Sequence, residues 1–205
     1  KGWSLNLRTQ MLRDTERELY WSLAFGTSDS KNKIKKITDK LGAMNDENNK
    51  NETKKPVPLY EEGESLDALK AVPSLGIDPE TGKEVFVKKD GSLTTIWDYN
   101  DKVVCGTTDP KFRGTLNSFL TFKGISLNMS FNFQWGGQTY NQTLASRVEG
   151  VNPNSNCDRR VLYDRWKKPG DRTFFKNIAL EENVSNLTTR FVQDYNYFQI
   201  GSISL

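Results

Sequence analysis

Histidine is absent from this 205-residue chain, and that one absence removes several chemistries at once. No Ser-His-Asp or Cys-His arrangement can be assembled, and no imidazole metal site exists. Cysteine is scarce: Cys105 and Cys157 lie far apart and outside any C-x-x-C motif, so a cysteine-based metal site is not expected either. In an oxidising compartment the two could bridge a pair of loops, but separate thiols are the simpler expectation. No metal and no cofactor is expected. The chain also lacks any long apolar run, which excludes a membrane-spanning helix. Nor does it open like a signal peptide, because Lys1-Gly2-Trp3-Ser4 leads straight into alternating sequence; an export signal is expected upstream, in a longer parent chain. Charge of one sign is not in excess. The 29 basic and 26 acidic residues leave +3, too balanced for a nucleic-acid footprint.

What is present is an uneven mixture. Only 35% of residues are apolar and mean hydropathy is −0.69, yet aromatics reach 11%. A barrel wall with one lipid-facing row and one wet row produces this composition. A secreted carbohydrate-binding β-sandwich with polar loops produces it too, and stays as the alternative.

Alternation supplies the sharpest signal. Ile125, Leu127, Met129, Phe131, Phe133 and Trp135 occupy successive odd positions, with Ser126, Asn128, Ser130, Asn132 and Gln134 between them. Strand side chains alternate faces, so this run predicts one wholly apolar face and one wholly uncharged polar face. The preceding run repeats the pattern more weakly on even numbers: Phe112, Gly114, Leu116, Ser118, Leu120 and Phe122 stand against Arg113, Thr115, Asn117, Phe119, Thr121 and Lys123. Each run is about eleven residues, the length of a tilted membrane strand and longer than the usual soluble one. Lys123-Gly124 leaves room only for a tight turn. An earlier pair follows the same plan. Trp3, Leu5, Leu7, Thr9 and Met11 alternate with polar residues, and after Asp14-Thr15-Glu16-Arg17 come Leu19, Trp21, Leu23 and Phe25. A last segment, 194 to 205, changes apolar parity near Gly201-Ser202, which predicts a β-bulge.

Strands are therefore expected near 3–13, 18–28, 111–123, 125–135 and 194–205, with long connections over 29–110 and 136–190. Tight turns on one side and long loops on the other are the asymmetry of outer-membrane barrels. In the first connection Ile34, Ile37, Leu41 and Met44 predict a short amphipathic helix. A polar stretch follows over Asn45 to Lys55. Lys89-Asp90-Gly91-Ser92 between β-rich runs predicts a two-residue hairpin. In the second connection, helices are expected near Gln138 to Glu149 and over Arg159 to Trp166, the latter stopped by Lys-Lys-Pro-Gly.

Particular words in the sequence, taken in order, resemble a known family. They are Lys31-Asn32-Lys33-Ile34; Glu62-Gly63-Glu64-Ser65; Val72-Pro73-Ser74-Leu75-Gly76-Ile77-Asp78-Pro79-Glu80-Thr81-Gly82; Lys88-Lys89-Asp90-Gly91; Thr108-Asp109-Pro110-Lys111-Phe112; Phe133-Gln134-Trp135-Gly136-Gly137-Gln138-Thr139-Tyr140-Asn141; and Arg160-Val161-Leu162-Tyr163-Asp164-Arg165-Trp166-Lys167-Lys168-Pro169-Gly170-Asp171. Together they resemble SusC/RagA-type TonB-dependent transporters over nearly the whole chain. The resemblance implies a barrel of about 22 strands around a plug, in the outer membrane of a Bacteroidetes-type bacterium. It also implies a SusD-like surface lipoprotein as partner, energy from the TonB complex through a plug that this stretch lacks, and oligosaccharide or peptide as cargo. The aromatic terminus expected of a complete barrel is also missing.

The expectation is all-β: a partial antiparallel transmembrane β-barrel of about five long strands, with extracellular loops carrying short helices and a small β-hairpin. The six apolar residues from Ile125 to Trp135 are expected to face lipid, and the five polar residues between them a wet lumen that holds no ions. No enzymatic activity is expected. Glu61, Glu62 and Glu64 could form a glycosidase pair, but clustered acids more commonly form a solvated face. Asp78 to Gly82 lacks the ligand order of a calcium loop and reads as turn chemistry. Five Asn-x-Ser/Thr sequons, beginning at Asn51, Asn128, Asn141, Asn183 and Asn186, read as coincidence. Arg159, Arg160, Tyr163, Arg165 and Trp166 mix cations with aromatics and are candidate contacts for substrate or a partner, against a competing reading as loop packing.

Overall fold

The computed structural model describes residues 1–50, 56–152, 154, 156–178 and 185–205. The segment 51–55, the polar stretch's second half, and the sequons starting at Asn51 and Asn183 fall wholly or partly outside the described residues. The chain divides into two compact units.

The first unit comprises Lys1–Asn32, Thr108–Gln138 and Asp194–Leu205. It is a single antiparallel sheet built from β1 (Gly2–Asp14), β2 (Leu19–Ser30), β8 (Phe112–Phe122), β9 (Ile125–Tyr140) and β10 (Val192–Ser204), adjacent in that order. The five short strands that intervene in sequence belong to the second unit. Lys123 and Gly124 join β8 to β9 with φ of 48° and 82°, and Phe122 pairs directly with Ile125. Two successive positive φ values make a type I′ turn, whose twist matches that of the strands. At the other hairpin, Asp14 accepts the amides of Glu16 and Arg17 at 3.0 Å and starts the turn. β9 runs past the expected end at 135 to Tyr140. A bulge lies at Met11, between Gln10 and Leu12 of β1, and β10 spans Gly201 and Ser202.

The second unit comprises Lys33–Thr107 and Thr139–Gln193, and it holds the hydrophobic core. Ala71, Tyr140, Ala145, Val148, Val151, Val161, Phe175, Leu187 and Phe191 are buried there in one cluster. Around it lie β3 (Ala68–Ala71) paired with β7 (Val103–Thr107), and a small sheet of β4 (Ser74–Ile77), β5 (Glu84–Val87) and β6 (Leu93–Thr94). The expected hairpin is β5–β6. Its loop is Lys88 through Ser92, longer than the two residues expected, with Gly91 at φ 85°.

Helix content is lower than the sequence suggests. The first helix, α1, spans Asp39–Lys50, so Ile34 and Ile37 lie before it. Ile34 instead donates its amide to Glu64 and accepts that of Gly63. Asn45 on α1 donates to the Tyr60 carbonyl and accepts the Tyr60 amide, so a polar staple, not an apolar stripe, holds the helix. Among the described residues of the second connection, a π-helical segment, Leu144–Glu149, and two 3₁₀ turns, Thr189–Phe191 and Arg159–Leu162, form. The run stops there because the Phe175 amide donates to Asp164 and the Trp166 amide to Phe175, a strand-like exchange that takes the backbone groups a helix needs.

Candidate functional site

The sheet's register sorts every side chain to one of two faces. Leu5 pairs with Thr27, Leu7 with Phe25, Thr9 with Leu23 and, past the bulge, Leu12 with Trp21. Trp21 pairs with Leu120, Phe25 with Leu116, Leu116 with Phe131 and Leu120 with Leu127. Directly opposed residues share a face, so the apolar rows of four strands align. β10 adds Phe198, whose ring stacks on Phe131 at 5.3 Å.

Two details make this face continuous. Gly114 stands opposite Phe133, and a Cβ there would lie 2.6 Å from the Phe133 ring. The ring therefore lies across the glycine and stacks on Phe25 of β2 at 5.6 Å. The Trp21 indole N–H donates to the buried Ser118 hydroxyl at 3.0 Å, so neither polar group is left unpaired on an apolar surface. None of Ile125, Leu127, Met129, Phe131, Phe133 and Trp135 is buried, and Ile125 and Trp135 are 62% and 57% exposed.

The opposite face carries Ser126, Asn128, Ser130, Asn132 and Gln134, paired with Thr121, Phe119, Asn117, Thr115 and Arg113. The Thr121 and Ser126 hydroxyls share a hydrogen bond at 3.1 Å. A depression of about 200 Å³ lies on this face where Gly26 has no side chain and Ala24 only a methyl, edged by Asn6, Arg8, Thr115 and Asn117.

In the second unit the organising feature is a charge cluster that sequence reading missed. Arg190 meets Glu84 through two bonds of 2.7 Å and Glu149 through a third of 2.7 Å, with all three side chains buried. Its guanidinium lies over Phe174 and Phe191. Burial works against the Arg190 charge, but hydrogen bonds and attraction from both glutamates outweigh it and raise its pKa above the ordinary value. Residues from both long connections are thereby tied into one unit. Each member looks like an ordinary surface charge in sequence; only their separation of many tens of positions hides the pairing.

The five candidate loop residues divide. Trp166 and Arg165 are buried, at 8% and 5% exposure. Arg165 donates to the carbonyls of Val161, Lys176 and Val148, and Trp166 donates its indole N–H to Pro79 at 2.8 Å. Their polar atoms are spent on the chain's own backbone. Arg159, Arg160 and Tyr163 are exposed. Arg160 forms a forked pair with Asp158, which holds the Asp158 carboxyl down at about 2. Tyr163 accepts from Arg159 at 3.3 Å. A cavity of about 370 Å³ opens near this turn, lined in part by Thr143, Ser146, Arg147, Asn156 and Asp158.

The other sequence candidates have structural partners. Lys70 bridges Glu61 at 2.6 Å and Glu64 at 2.7 Å, while Glu62 accepts the Ile37 amide. Asp78 accepts the Glu80 amide and the Thr81 hydroxyl, its carboxyl held below the ordinary range first by the Thr81 bond. Cys105 and Cys157 are not bonded to each other.

Trp166 also gives a direct test of this packing. A Cβ on Gly82 would lie 2.6 Å from its indole, at φ 71°. Gly82→Ala is expected to combine a left-handed penalty of about 1–2 kcal/mol with displacement of the ring. Gly91→Ala, at φ 85° with nothing near, carries the backbone penalty alone. Chymotrypsin digestion of the second unit should therefore be faster for Gly82→Ala than for Gly91→Ala, and equal rates would contradict the packing.

An antiparallel sheet of long two-faced strands, tight turns at one end and long connections at the other, is the architecture of a β-barrel wall. No helix among the described residues is long and apolar enough to cross a membrane, which says nothing of crossing by strands. No protein-family model matches the chain. It is 24% identical over 221 residues to TonB-dependent receptor P3 of Formosa agariphila, covering 100% of this chain and 21% of that protein. Among solved structures it matches the RagAB peptide importer in its open-open state, with a TM-score of 0.71 and 16% identity over 98% of this chain and 21% of the other. A second RagAB peptide transporter structure gives a TM-score of 0.71 at 15% identity, covering 98% and 22%. The chain spans about a fifth of the length of these relatives. The resemblance to SusC/RagA-type TonB-dependent receptors therefore stands, on a sequence match that spans this chain and on fold. The relatives are a receptor and an importer, not enzymes.

Proposed function

We propose that this chain forms part of the wall and the outer loops of an outer-membrane, TonB-dependent nutrient importer. The observation that carries the reading is the apolar face aligned by register over four strands and extended to β10 by Phe198, with none of its six β9 residues buried and a polar face behind it. Ile125, Leu127, Met129, Phe131, Phe133 and Trp135 contact lipid; Ser126, Asn128, Ser130, Asn132 and Gln134 line the lumen. At about 3.4 Å per residue, the run from Ile125 to Trp135 measures about 34 Å, and a tilt of about 45° reduces this to about 24 Å across the membrane. That equals the apolar band of such barrels, about 25 Å. The long connections leave from the strand ends opposite the turns, so they form the outward loops.

The cargo is oligosaccharide or peptide, delivered beneath a SusD-like surface lipoprotein, with energy relayed by TonB through a plug elsewhere in the whole protein. The similarity to the RagAB peptide importer supports the peptide alternative. Of the five candidate loop residues, Arg159, Arg160 and Tyr163 are the ones exposed to meet cargo or lipoprotein. Membrane fractionation tests the placement. The whole protein should stay in the outer membrane through high-salt and alkaline washes and leave only with detergent. Release into aqueous buffer would refute it.

A further inference from the structure

The polar face of the sheet is not charge-neutral. Arg8 pairs with Ala24, Arg13 with Tyr20, and Arg113 with both Ser28 and Gln134, so all three arginines share the face of Asn117, Asn132 and Ser130. No aspartate or glutamate of the five strands does. Asp29 stands opposite Trp3 and Asp14 opposite Leu19, both on the apolar side. In β10, Gly201 abuts Asn132 while Phe198 stacks on Phe131, which puts Asp194, of Phe198's parity, on the apolar side too. The three arginines are exposed, and among the described residues their guanidinium groups meet neither a carboxylate nor a hydrogen-bond acceptor. The uncharged Ser, Asn and Gln of β9 are thus only part of this wall.

Arg8 stands at the rim of the depression over Ala24 and Gly26, and Arg113 lies one row beyond Thr115 on its other side. The depression has amide and hydroxyl donors in Asn6, Asn117 and Thr115, and its volume of about 200 Å³ admits a carboxylate with the first atoms behind it. A guanidinium fork matches a carboxylate in geometry and charge. Within a barrel, low-dielectric walls strengthen that attraction over its value in bulk water.

We infer that this notch is a subsite for carboxylate-bearing cargo, with Arg8 and Arg113 giving the importer a preference for acidic solutes. The inference rests on the reading of the polar face as lumen. The carboxylate can belong to an acidic peptide or to a uronic-acid sugar, and two matched probe pairs separate these sources. One pair is a blocked pentapeptide carrying two aspartates and its counterpart carrying two asparagines. The other is a uronate trisaccharide and its methyl ester.

Equilibrium binding would be measured with the whole protein in lipid nanodiscs. The acidic member of one pair should bind about tenfold more tightly than its neutral match, with the ratio shrinking as salt rises. In the double variant Arg8→Gln, Arg113→Gln the ratio should fall to about one, chiefly through weaker binding of the acidic probe. Arg8→Lys with Arg113→Lys should retain part of the preference. Equal binding of both members by the unmodified protein overturns the inference, even if a variant fails to assemble. So does a ratio that survives the double substitution, or a parallel loss of both probes, which would mark a fixed acidic segment of the protein as the occupant. A protein found outside the membrane would instead refute the underlying lumen assignment.

Discussion

Arg190→Ala should loosen the second unit by about 3–5 kcal/mol. Removing the guanidinium leaves Glu84 buried without its ion-pair partner and Glu149 with only the attraction of Arg165, and the cost of that state exceeds what the intact cluster contributes. The effect can be read at specific amides. Val72 donates to Leu187 and Thr189 donates to Val72, linking the first connection to the second beside the core. Their hydrogen exchange should accelerate by about two to three orders of magnitude. Arg190→Lys should fall between, because an ammonium cannot make the double bond to Glu84. Glu149→Gln should be far milder. It leaves the Arg190–Glu84 pair whole, and the Glu149 Oε2 atom has no hydrogen-bond partner among the described residues. If Glu149→Gln proved as damaging as Arg190→Ala, the cluster would not be organised around the arginine.

Met129→Arg should be the most damaging single change in the sheet. It sits near the middle of the apolar run, opposite Ser118, where an arginine would have to enter hydrocarbon. Such a change at the bilayer midplane costs about 2–4 kcal/mol and fades toward the interfaces. Ile125→Arg, beside the turn, should cost about 1 kcal/mol or less. Ser130→Arg, one residue away but on the polar face, should cost little, since Arg8 lies on that face three strands over. Urea-induced unfolding of the whole protein from bilayers would rank the three. A similar loss for Met129→Arg and Ser130→Arg would mean that the two faces meet the same environment.

Much of the sheet was legible because each strand announces its own faces. The odd-numbered run of β9 needs no partner to be read, and Lys123-Gly124 fixes the neighbour's register. The second unit resisted for the opposite reason. Pairing of Ala68–Ala71 with Val103–Thr107 joins short segments with little alternation, and nothing local in either names the other. The helices foreseen over Ile34 and over Asp164 to Trp166 lost their backbone groups to such long-range exchanges. Arg165 and Trp166 illustrate the limit for the candidate site. Cation beside aromatic is the same word in a binding loop and in a packed one, and only the carbonyls of Val148, Val161 and Pro79 decide between them.

The account depends most on the two faces meeting different solvents. Spin labels placed singly at each position from 125 to 135 of the intact membrane protein would read this directly, through collision with oxygen, which dissolves in lipid, and with a water-soluble nickel chelate. The expected result is a period of two, with oxygen collisions highest at the odd positions and peaking near Met129 and Phe131, and nickel collisions highest at the even ones. An absence of alternation, or odd positions shielded from both reagents, would contradict the account.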